Sequence, residues 1–287
     1  MLGRSAGEGL VRSCVRGDWV HTRRPGDGVE LMRAWFGGRA YDRHRHDTYA
    51  ISVTEAGVQT FDYRGKVERA LPGEVVVLHP DEMHDGRPGT RAGFGYRIVY
   101  VEPAKIAAAV RAVCGRPAPL PFLAEPVSGN PILAQAVTAA FRQAPEPLAL
   151  DALVLRLAEG LVAGDAASDA ARLSPRLDHP ALERARAFLD ERHAVVRSAE
   201  LEAVTGLDRY ELARQFRASY GTSPYRYSLM RRLDFARGQL GHGIPLADVA
   251  LAAGFVDQAH FTRMFRSAFG LTPGRYVTLR RAGASIA

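Results

Sequence analysis

The chain repeats itself near its C-terminus, and that repeat limits what its last third can be. A shift of about 49 positions places Leu212, Arg214, Phe216, Gly221, Ser223, Pro224 and Tyr227 on Phe261, Arg263, Phe265, Gly270, Thr272, Pro273 and Tyr276. A tandem pair at fixed spacing reads as one structural unit used twice. Each copy has the pattern of a short helix, a glycine turn and a second helix. The first is Ser198–Thr205, Gly206-Leu207 and a helix opening at Asp208; the second is Pro245–Ala252, Gly254-Phe255 and a helix opening at Asp257. Short helical pairs joined through a glycine-containing turn have the form of helix-turn-helix.

Local chemistry supports both second helices. Asp208 and Glu211 have the spacing of a capping box. Leu212, Phe216 and Tyr220 form one apolar face, and Phe261, Phe265 and Phe269 repeat it. Left over are Arg209, Tyr210, Ala213, Arg214 and Arg217 on the first, and Gln258, Ala259, His260, Thr262, Arg263 and Arg266 on the second. These residue types meet base edges and phosphates: Arg pairs with guanine, Gln with adenine, and small apolar groups with the thymine methyl. Arginines on one helix also serve simply to solvate it; equivalent arginines on two equivalent helices favour a duplex. The connecting helix, Ser223-Pro224 to Leu240, is roughly 26 Å long at ~1.5 Å per residue. That brings the two units towards the ~34 Å spacing of successive major grooves. Gly221 and Gly270 are expected to be left-handed helix caps. Valine at Gly270 is expected to damage the C-terminal domain without touching what precedes it.

The run from about Leu201 to Tyr276 resembles the DNA-binding domain of the AraC/XylS family. The segments that carry the likeness are G-L-D-R-Y-E-L-A-R-Q-F, G-T-S-P-Y-R-Y, L-A-D-V-A-L-A-A-G-F-V-D-Q-A-H-F-T-R-M-F and G-L-T-P-G-R-Y. The resemblance implies that the helices from Arg209 and Gln258 enter the major groove. Ala213 and Ala259 stand where relatives often carry longer polar side chains. It also implies double-stranded DNA, RNA polymerase and a small-molecule effector as partners.

Between Trp19 and Glu102 the pattern is short strands broken by Gly, Pro and Asp, which suggests a small antiparallel barrel or jelly roll. His44-Arg45-His46 and the stretch Gly73 to Asp85, containing His79 and His84, resemble the two cupin motifs. The carboxylate ligand expected after H-x-H is missing, and Glu82 replaces the usual Gly. The resemblance implies that His44, His46 and His84 converge inside the barrel around an effector, and Tyr49 and Asp85 near its mouth are of a type to orient an anionic or hydroxylated ligand. His44, His46 and His84 also form a possible set for a divalent metal, although no cofactor is expected. The phase of His79 makes it a rim or core residue.

The fold class is therefore α+β, and the expected domains follow: a disordered tail at 1–18, a cupin-like sensor at 19–103, a helical connector at 104–163, a linker at 164–178 and the DNA-binding domain at 179–287. Leu150, Leu153, Val154, Leu157 and Leu161 form an apolar stripe in the connector. Such a stripe needs a partner; the family resemblance implies a homodimer contact, and the alternative is packing on the chain's own barrel. Of the net charge of +7, six units fall from Arg176 onward, where phosphate contacts need them. Cys14 and Cys114 lack metal-type spacing, and the N-terminus lacks an apolar signal core. These features, with no run long enough to span a membrane, suit the cytoplasm. The reading is a ligand-responsive, sequence-specific transcription regulator without catalysis; the alternative is a metal-dependent cupin enzyme fused to a DNA anchor.

Overall fold

A computed structural model describes residues 17–26, 28–38, 40–116, 118–142, 147–165, 177–240 and 242–284. Most of the expected tail, with Cys14, and residues 166–176 of the expected linker lie outside these. The N-terminal half is built from β1 (Trp19–Gly26), β2 (Val29–Phe36), β3 (Tyr41–His44), β4 (Tyr49–Gly57), β5 (Gln59–Tyr63), β6 (Lys66–Ala70), β7 (Val75–Leu78), β8 (His84–Pro88) and β9 (Phe94–Val101). The short β10 (Val127–Ser128) joins later. They form two facing antiparallel sheets, ordered β1-β2-β9-β4-β7-β10 and β3-β8-β5-β6.

The central strands of the larger sheet are buried on both faces, which explains continuous apolar runs such as Val75–Leu78. Leu31, Ile51, Val75, Val77, Val99 and Val101 point outward. Met32, Ala50, Val76, Leu78, Tyr96 and Ile98 point between the sheets. Helices α1 (Pro103–Cys114), α2 (Pro131–Ala140) and α3 (Pro147–Gly164) cover the outer face. The apolar stripe of α3 is buried there, every member at most 8% exposed. Of the two uses expected for it, packing on the chain's own sheet is the one observed.

The C-terminal half is helical: α4 (His179–Asp190), α5 (Ser198–Thr205), α6 (Arg209–Tyr220), α7 (Pro224–Gln239), α8 (Leu246–Ala252), α9 (Gln258–Phe269) and α10 (Pro273–Ala284). Leu182, Ala185 and Leu189 of α4 brace Leu212 and Phe216 of α6. Phe261 and Phe265 of α9 pack with Met230 and Leu233 of α7. Gly221 and Gly270 end α6 and α9 in left-handed conformation, φ 71° and 67°. Asp208 caps α6 through the amides of Tyr210 and Glu211. Glu211 does not return the favour: its carboxylate accepts instead from Arg214 at 2.5 Å and Gln215 at 2.8 Å. The two halves also share a core, for Leu271 and Leu279 belong to the cluster between the sheets.

Candidate functional site

A cavity of 840 Å³ lies where the halves meet. The sheets contribute His44, His46, His84, Gln59, Tyr96 and Tyr100; α7, α9 and α10 contribute Arg231, Arg237, Phe269 and Tyr276. Its size is that of a small-molecule pocket.

Strand pairing explains how the histidines meet. β3 runs antiparallel to β8 with His44 opposite His84, and His46 follows His44 by two. The ring centroids of His44 and His84 stand 4.2 Å apart, those of His46 and His84 4.9 Å, and those of His44 and His46 6.1 Å. Each Nδ1 donates to a backbone carbonyl: His44 to Asp42 at 2.8 Å, His46 to Thr48 at 2.9 Å and His84 to Glu82 at 3.0 Å. Burial is the first cause that holds all three neutral. His44 and His46 lie well below the ordinary value, with the neighbouring histidines adding to the effect, and His84 falls to about 4. Among the described residues no group of three or more His, Cys, Asp or Glu is arranged to hold a metal ion.

Of the other expected effector residues, Asp85 lines the cavity and accepts from Arg87 at 2.8 Å. Tyr49 is not brought to the histidines. It sits on the outer face of its sheet and donates to the Pro121 carbonyl at 2.8 Å. His79 is a core residue: its Nδ1 meets the Tyr63 hydroxyl at 2.8 Å, and its Nε2 accepts from Leu123 N at 3.0 Å. The cavity residues of the C-terminal half escaped sequence reading, because no local pattern marks a contact between residues some 200 positions apart.

The neutral histidines set a pH dependence. Between about 4 and 6.5 the unfolded chain binds a proton at His84 that the folded chain refuses, so stability falls as pH falls. Asp47 acts oppositely in part of this window, because burial raises it to about 6. We expect His84→Phe to remove about 1 kcal/mol of the stability lost between pH 6.5 and 5.5, since one proton bound by only one of the two states is worth at most ~1.4 kcal/mol over one pH unit. Urea titrations of both proteins at the two pH values measure this; parallel losses would contradict it.

The expected DNA-contacting residues divide by what holds them. Tyr210, Gln258 and Ala259 are exposed, whereas Ala213, His260 and Thr262 are half-buried. Arg209 pairs with Glu202 at 2.9 Å and Arg214 with Glu211 at 2.5 Å, both within the first unit. Arg217 lies 4.0 Å from Asp81, and Arg266 pairs with Asp42 at 2.5 Å, both across to the sheets. Arg263 is exposed and, among the described residues, has no carboxylate partner. α9 is clamped further by backbone bonds: Asp42 N donates to Gly270 O at 3.1 Å and Arg45 N to Ser267 O at 3.2 Å. Strand β3 and the turn after it thus hold the end of α9 on one side and carry His44 and His46 into the cavity on the other.

Two family models match, one for each half. Residues 28–158 match the AraC-like ligand binding domain, and residues 201–279 match the helix-turn-helix domain. A Bacillus subtilis protein described as the uncharacterized HTH-type transcriptional regulator YbfI is 27% identical over 226 residues, covering 77% of this chain and 81% of that protein. In fold, the chain is similar to ToxT from Vibrio cholerae, with a TM-score of 0.60 at 11% identity over 91% of this chain and 99% of that one. The unsaturated-fatty-acid-bound form of ToxT gives 0.62 at 12% identity, covering 91% and 98%. No helix among the described residues is long and apolar enough to cross a membrane. With an AraC-like ligand binding domain and a helix-turn-helix domain matched in that order, the chain is a DNA-binding transcription regulator of AraC type.

Proposed function

We propose that α6 and α9 read adjacent major grooves, and that a small organic effector in the 840 Å³ cavity sets how freely α9 can do so. One observation carries the reading: the segment that brings His44 and His46 to the cavity also caps α9 and pairs with Arg266. A ligand with different affinities for the docked and released arrangements would shift their balance. That ToxT is described with a bound unsaturated fatty acid supports an organic effector rather than a metal. RNA polymerase and a second copy of the chain remain part of the proposal as partners, and the cytoplasm as its place. Leu155 on the outer side of α3, with Tyr225 and Val256 in the C-terminal half, supplies exposed apolar surface for such contacts.

The test is selection of DNA sites by the purified protein, followed by two variants. Arg263→Ala is expected to weaken the selected site by about 1–3 kcal/mol and to relax preference at one position. If Arg263 holds a phosphate, binding falls evenly across sequences and the salt slope drops by about one. Asp42→Asn frees Arg266 while keeping the backbone clamp, and should tighten effector-free binding by at most about fivefold, the scale of one surface ion pair. Unchanged affinity in both variants would reject this DNA face.

A further inference from the structure

We infer that the effector is a neutral, hydroxyl-bearing molecule whose hydroxyls donate to the Nε2 atoms of His44, His46 and His84. This rests on the cavity being the effector site, and it names the chemistry that the cavity selects. A carbonyl oxygen can only accept, so the three Nδ1–carbonyl bonds place the proton of each ring on Nδ1. Each neutral ring is left with a lone pair on Nε2, and among the described residues no donor is bonded to any of the three. The contrast with His79, whose two nitrogens both have protein partners, is direct.

Other atoms of the lining have unmet needs as well. Gln59 Oε1 and Asp47 Oδ1 are buried acceptors without a hydrogen bond, and Arg231 Nε and Arg237 Nε are buried donors without one. The remaining nitrogens of both arginines are engaged by Glu30, Asp47, Glu102 and Asp234. The wall therefore calls for groups that donate to the histidines and accept from arginine. A hydroxyl does both. A carboxylate only accepts, and would set its lone pairs against three others. An ammonium or a metal ion only fills acceptors, and would sit near the positive charges of Arg226 and Arg237, which bear on His46. Lys105, also on the lining and without a carboxylate partner among the described residues, is where an anionic ligand would go instead.

The full-length protein should be screened by thermal shift and calorimetry against neutral monosaccharides, polyols and simple polyphenols. The same compounds with methylated hydroxyls, oleate and zinc chloride form the other arms. At least one hydroxylated compound should bind, and its methylated counterpart should bind about tenfold or more weakly, as expected when buried acceptors are left unpaired. His84→Phe should cause a similar loss, and His84→Gln, which keeps an acceptor near the place of Nε2, should recover part of it. The methylation comparison needs no variant, so poor folding of His84→Phe does not remove the test. Binding of oleate or zinc with every hydroxylated compound silent would overturn the inference, as would hydroxylated ligands indifferent to both methylation and His84→Phe. A hydroxylated compound that binds as described but leaves DNA affinity unchanged would count against the effector role alone.

Discussion

Arg231→Ala will lower the free energy of unfolding by about 3–5 kcal/mol, the range for stripping one partner from a buried charge cluster. Arg231 leaves α7 and meets Glu102 at 2.5 Å, Asp47 at 3.2 Å and Asp234 at 3.3 Å. Its side chain is 15% exposed and that of Asp47 only 2%. Alanine leaves Asp47 and Glu102 without their cation, whereas Asp234 keeps Arg237 at 2.8 Å and Arg24 at 3.0 Å. Asp47 is already raised to about 6 by burial, with Arg231 working against that rise. Without Arg231 its folded pKa climbs further, so the folded variant binds a proton that the unfolded chain releases. The variant should therefore recover stability as pH falls from 7.5 towards 6, where wild type gains less. Denaturant titrations at those two values check both parts. A loss below about 1 kcal/mol at pH 7.5 would show that water already screens the cluster.

Gly270→Val will cost about 2–4 kcal/mol, from two sources. A β-branched residue at φ 67° carries backbone strain on the order of 1–3 kcal/mol. Its Cβ would also stand 2.8 Å from His44 Nδ1 and 2.9 Å from Tyr41 Cβ, so the sensor must move. The expectation that this change spares the sensor is therefore corrected: the cap of α9 rests on β3. Gly206 is the control, with φ 75° and nothing within 4 Å of an added Cβ. Gly206→Val should show the strain alone and lose less. Equal losses in the two proteins, measured by thermal melting, would mean that the contact with β3 adds nothing.

The difference between these glycines also shows what was legible in the sequence. The cap conformation of Gly221 and Gly270 could be read from local pattern, as could the apolar faces of α6 and α9, because helix period and capping depend on near neighbours. The cupin-like motifs likewise pointed to His44, His46 and His84 before any strand pairing was known. The stripe on α3 was visible too, but apolar spacing reports a need for a partner and not which surface meets it. Tyr49 went to the outer core because alternation along β4 turns it away from the cavity, and the motif alone did not carry that phase. Arg231 and Arg237 stayed hidden: on a helix of DNA-binding type, an arginine reads as a phosphate contact. Only the docking of the halves pairs them with Glu30, Asp47 and Glu102 instead.

The clamp on α9 has a consequence for how such a regulator can diversify. Its two backbone bonds, from the amides of Asp42 and Arg45, involve no side chain of β3 or of the turn that follows. Any residue except proline at 42 and 45 can supply them. His44 is tied to the clamp through its bond to the Asp42 carbonyl, but His46 bonds to Thr48 instead and can be exchanged for other side chains, retuning what the cavity admits while the two bonds to α9 stay in place. A lineage built on this arrangement can acquire a new signal without having to reinvent its response.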